Sequence, residues 1–122
     1  MNTTRTARRA ARRTARAVLR ARTRTHRTRT RITRRGVATL ASHAMAAGLT
    51  VKEARSAAGT MHKVAARLDI PGVEGVSYAG RHRARPCRRY TRAEAALIAA
   101  DYGRRARKAA YKAAASRMVL AA

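Results

Sequence analysis

The sequence predicts an all-α protein: a small helical domain over residues 36–122, preceded by a basic N-terminal arm over residues 1–35. Three observations lead there. Alanine, the residue with the highest intrinsic helix propensity, supplies 31 of the 122 positions. Thr50-Val51-Lys52-Glu53 and Thr91-Arg92-Ala93-Glu94 both fit the capping box, in which a Thr hydroxyl and a Glu carboxylate satisfy the free N–H groups of a helix start. The first acidic residue is Glu53, and Gly36 separates an arginine-rich stretch from a more apolar one.

Within the arm, Arg5, Arg8, Arg9, Arg12, Arg13, Arg16 and Arg20 recur at the spacing of one helical face. Ala7, Ala10, Ala11, Ala15, Val18 and Leu19 take the other. Like charges stacked at that spacing repel, whereas alanine favours helix. Residues 5–20 therefore read as a nascent helix that becomes firm when phosphates neutralise its arginines. From Arg20 the period shortens to about two, with Arg22, Arg24, Arg27, Arg29, Arg31, Arg34 and Arg35 interleaved with threonines at 23, 25, 28, 30 and 33. Threonine favours extended backbone, and a lone polar strand cannot offset the entropy of its own ordering. This part of the arm is expected to be extended or disordered.

Beyond Gly36, helices are expected at about 37–47, 51–68, 92–102 and 104–120. In the second of these, Val51, Ala54, Ala58, Met61, Ala65 and Leu68 form an inward stripe, with Gly59 placed to break the helix in two. Pro71, Gly72, Gly75, Gly80 and Pro86 make the span from 70 to 90 irregular. Val76-Ser77-Tyr78, a turn at Ala79-Gly80 and the basic residues beyond suit a short β-hairpin.

The formal charge is +25, from 30 basic and 5 acidic residues. Such an excess repels itself in a compact monomer and calls for a polyanionic partner, nucleic acid first. Arginine makes up 26 of the 30, and its planar fork suits phosphate and guanine edges. No run of apolar residues is long enough to span a membrane, and no apolar stretch of signal-peptide type follows the basic N-terminus. The first 30 residues share the composition of an organellar transit peptide. The single Cys87 excludes an internal disulfide and suits a reducing cytosol. His82 and Cys87 invite a metal reading, but one thiol with no second cysteine is no zinc framework, and no carboxylate, serine or cysteine is spaced to complete a catalytic site with His43 or His62. No enzyme, metal or cofactor is expected.

Leu40 to Gly59, LASHAMAAGLTVKEARSAAG, resembles the helix-turn-helix of DNA-binding proteins. Ala44 is the small residue where two helices cross, Gly48 supplies the turn, Leu49 is the buried turn residue, and Ala54 with Ala57 or Ala58 lies on the inner side of the second helix. Two positions depart from the pattern: Ala54 stands where a branched aliphatic residue is usual, and His43 where an apolar one is. The resemblance implies that Lys52, Arg55, Ser56, Thr60 and Lys63 face the major groove, with Arg55 suited to a guanine. The segment GRHRARPCRRYTR then supplies a basic wing, with Arg81, Arg83, Arg85, Arg88, Arg89 and Arg92 around Tyr78 and Tyr90.

TLASHAMAAGLTVKEARSAAGTMHKVAARL together with RPCRRYTRAEAALIAADY also resembles the small Arg- and Ala-rich helical proteins encoded on phages and plasmids of high-GC actinobacteria, over residues 36 to about 115. That resemblance implies DNA binding in the service of a mobile element. Two functions are thus expected. One is a cytoplasmic, nucleoid-associated protein that reads duplex DNA while its arm follows phosphate, as a regulator or recombination accessory factor, alone or paired with a second copy. The other is a structural RNA-binding or packaging protein, ribosomal or virion-associated, without base readout.

Overall fold

The computed structural model of the chain describes residues 2–78 and 83–122. Among them the elements run α1 (Asn2–Arg35), β1 (Val37–Ala38), α2 (Leu40–Ala46), α3 (Val51–Arg67), β2 (Val73–Ser77), β3 (Arg85–Thr91), α4 (Arg92–Arg105) and α5 (Ala109–Leu120). The fold is mostly helical with a small antiparallel sheet in the order β1-β3-β2, so it is not purely α. None of the helices described is long and apolar enough to cross a membrane.

The arm departs most from expectation. Residues 20–35, read as extended or disordered, continue the helix begun at Asn2 without interruption. Four of the threonines that suggested a strand are accommodated by back-bonding: Thr23, Thr28, Thr30 and Thr33 each donate their hydroxyl to the carbonyl four residues earlier, at 2.8–3.0 Å. Packing supplies the rest. Thr28 and Ile32 are buried, while every residue from Thr4 to Arg24 is exposed. The last three turns are thus docked on the domain and the remainder projects from it. Gly36 ends the helix in the left-handed region, at φ +78°, and its N–H reaches the Ile32 carbonyl at 2.8 Å.

The expected helix at 37–47 is shorter, because Val37 and Ala38 pair with Thr91 and Tyr90 of β3 before α2 begins. Its cap is Thr39, whose hydroxyl accepts from the Ser42 N–H. Both capping boxes form as expected, at Thr50/Glu53 and Thr91/Glu94, with hydrogen bonds of 3.0–3.2 Å. α3 runs unbroken through Gly59, and Ala57 and Val64 join Ala54, Ala58, Met61 and Ala65 on its buried face. Val51 is only half-buried and Leu68 is exposed, so the ends of the predicted stripe lie outside the core. The hairpin starts earlier than expected: β2 pairs with β3 from Val73↔Arg89 to Ser77↔Arg85, and its Ala79-Gly80 turn lies outside the described residues. The last helical break falls at residues 106–108 rather than at Gly103. Gly103 stays helical and allows α5 to come close, since a Cβ there would sit 3.0 Å from that of Ala115.

The core explains why these elements approach so tightly. Of the twenty buried apolar residues among those described, eleven are alanine, and Tyr90, Leu40, Met61 and Ile98 are the largest that are fully enclosed. Small side chains give little apolar area per contact, so a core of this kind is thin for its number of helices.

Candidate nucleic-acid interface

The α2–α3 pair is joined by a four-residue turn in which Gly48 adopts φ +103°. Leu49 beside it is buried, as are Ala44 and Ala54 on the facing sides of the two helices. The C-terminal end of α2 is held by two guanidiniums: Arg29 Nε donates to the Ala46 carbonyl at 2.8 Å and Arg117 Nη1 to the Ala47 carbonyl at 3.0 Å. Cations there also complement the negative end of the helix dipole. Arg92 completes the fastening of α1 by donating to the Thr33 hydroxyl at 2.8 Å.

His43, the polar residue at an expected apolar position, is buried. Its Nε2 lies 2.7 Å from the Tyr90 carbonyl, which can only accept, so Nε2 carries the proton. Burial holds the imidazole below its usual range, against the opposing effect of that hydrogen bond, and the nearby Arg92 pushes the same way as burial. A neutral His43 therefore links α2 to the end of β3.

Between the end of α1, the α2–α3 pair and the hairpin lies a groove of about 880 Å³. Among the described residues, five arginines from three separate stretches of sequence line it: Arg31 and Arg35 of α1, Arg55 of α3, and Arg85 and Arg89 of β3. None of the described residues lining it is acidic. Three of the five carboxylates are engaged elsewhere, and Glu74 lines an adjoining depression that shares Thr39, His62, Pro86 and Cys87 with the groove. Glu53 and Glu94 close the capping boxes, and Asp101 pairs with Arg67 and Arg104. The Thr50 N–H, and then its hydroxyl, hold the Glu53 carboxyl below the ordinary range, so it stays ionised in its cap.

The structure sorts the residues singled out from sequence. Lys52, Ser56, Thr60 and Lys63 are exposed along α3, next to Arg55 but outside the groove. All fourteen arm arginines are exposed. Arg5, Arg8, Arg9, Arg12, Arg13, Arg16, Arg20, Arg22 and Arg24 sit on the projecting part of α1. Arg27, Arg31 and Arg34, with His26 and Thr30, line a second depression on its docked end. Arg29 is committed to Ala46. Arg88 and Arg89 donate to the Pro71 and Val76 carbonyls, at 2.9 and 3.0 Å, and so brace the hairpin with part of their donor set. Arg83 is exposed beside β3, and Arg81 lies outside the described residues.

Tyr78, placed from sequence among the wing arginines, is exposed and lines the groove, whereas the pair Thr28 and Ile32, which set the direction of the arm, was overlooked. The pair was legible in principle. Thr25, Thr28 and Ile32 stand at i, i+3 and i+7, beneath the more conspicuous alternation of arginine and threonine. Among the described residues no group of His, Cys, Asp and Glu is placed to hold a metal ion. Comparison with known protein families, with curated proteins and with solved structures finds no match.

Proposed function

We propose that the protein binds duplex DNA, with α3 entering the major groove as the second helix of a helix-turn-helix and α1 following phosphates, in the service of a phage or other mobile element. The observation that carries this reading is the groove itself. Arginines from the arm, the second helix of the pair and the hairpin converge there without a carboxylate among the described lining residues, although they are up to 58 positions apart in sequence (Arg31 to Arg89). Like charges are brought together at a cost unless a polyanion occupies the space between them. Arg55 is the residue best suited to a base edge, because it is exposed near the start of α3 and a guanidinium fork matches guanine O6 and N7. The projecting part of α1, Thr4 to Arg24, is about 30 Å long at 1.5 Å per residue, close to one turn of duplex at about 34 Å.

The rival reading, a structural RNA-binding or packaging protein, draws on that same projection, since a rod of arginine without domain contacts suits charge and shape more than sequence. Selection of fragments from a random duplex library, with structured RNA as competitor, separates the two. DNA reading predicts an enriched site on which Arg55→Ala costs ~1–3 kcal/mol, with a much smaller loss on a scrambled duplex. Equal loss on both sequences removes Arg55 from base readout. Failure to enrich any site, with RNA competing on equal terms, replaces the first reading by the second.

A further inference from the structure

We propose that Tyr78 is a base-stacking residue, set to receive a base that has left the regular stack of a duplex. This rests on the duplex-binding reading above and adds to it a preference for distorted or incompletely paired DNA.

The chain has four tyrosines and neither Phe nor Trp, so aromatic surface is scarce and its placement is informative. Tyr90 and Tyr102 are core residues. Tyr111 packs half-buried against the core, with the Lys108 ammonium 5.8 Å from its ring centre. Tyr78 is 79% exposed. Among the described residues no ring or cation stacks on it and its hydroxyl makes no hydrogen bond, so the fold gains nothing visible from an aromatic there. It follows directly on β2 and lines the same groove as Arg55, Arg85 and Arg89. A free ring beside guanidiniums that can hold phosphate is the pairing by which proteins take up bases without regard to sequence, since every base presents a π face. In a fully paired duplex those faces are covered. The ring gains a partner where a base is unpaired or a step opens easily, as for the apolar wedges of proteins that bend DNA.

The test measures binding of wild type, Tyr78→Ala and Tyr78→Phe to a fully paired duplex and to the same duplex carrying one unpaired adenine, at two salt concentrations. At this exposed position the variants should keep the wild-type circular dichroism. Tyr78→Ala is expected to lose ~5- to 150-fold in affinity for the bulged duplex and much less for the paired one. The slope of log K against log salt should not change, because no charge is removed. Tyr78→Phe should bind as wild type. Equal losses on both duplexes, or a Tyr78→Ala variant that binds the bulged duplex as tightly as wild type, overturn this inference alone. A wild-type protein that binds neither duplex overturns the duplex reading and this inference with it.

Discussion

Gly48 and His43 show how much of this fold hangs on single residues. At φ +103°, Gly48 occupies backbone that β-branched residues avoid, and a Cβ there would lie 3.0 Å from the Arg117 guanidinium that caps α2. Gly48→Val should destabilise by ~1–3 kcal/mol, and an unchanged melting temperature would mean the turn tolerates another conformation. His43 makes stability depend on pH with a definite sign. Its folded pKa is depressed by burial, so as pH falls below about 6.5 the unfolded chain takes up the proton first. The contribution is complete above that value and is lost as pH falls towards the folded pKa, at no more than ~1.4 kcal/mol per pH unit. Urea unfolding between neutral pH and pH ~5 should show this decline. It should be flatter in His43→Gln, whose amide can still donate to the Tyr90 carbonyl. An identical decline in that variant would place the proton uptake elsewhere. From sequence, His43 registered only as a residue out of pattern, because its partner lies 47 positions away.

Among the elements, the two long helices were legible to different degrees. The start of α3 was readable because a capping box is local: four consecutive residues contain both halves of the interaction. Its continuity through Gly59 was not, since a glycine at mid-helix is a weak penalty that tertiary contacts of Ala54, Ala57, Ala58 and Met61 easily outweigh. A Cβ at Gly59 would meet nothing within 4 Å. Gly59→Ala should therefore stabilise by ~0.5–1 kcal/mol, measured by urea denaturation, and a loss of stability would argue that α3 bends there. In α1 the docked and projecting parts should behave differently. Amide exchange is expected to be slow from Thr25 to Arg35 and fast from Thr4 to Arg24, where no buried contact opposes fraying. Added duplex should slow the second set by relieving arginine repulsion. Uniform protection along the free helix would contradict this division.

At the scale of the whole molecule, a charge of +25 around a core rich in alanine sets two salt dependences of opposite sign. Screening weakens self-repulsion, so the free protein should melt at higher temperature as salt rises. The same salt should weaken duplex binding, by ~10³ or more between 50 and 200 mM if six or more phosphates are contacted. A melting temperature that falls with salt would mean that attractive pairs such as Arg67–Asp101 outweigh the repulsion. What the sequence by itself determined is whatever depends on neighbours along the chain or on sums over it: the net charge of +25, the capped starts of α3 and α4, and the turn at Gly48. The tertiary structure alone decided that residues 25–35 dock as helix, that β1 completes a sheet with β3, and that Arg31, Arg55 and Arg85 share one groove. Each of these depends on contacts between residues far apart in sequence, and burial of Thr28 and Ile32 against the domain can override the local preference of an arginine–threonine alternation.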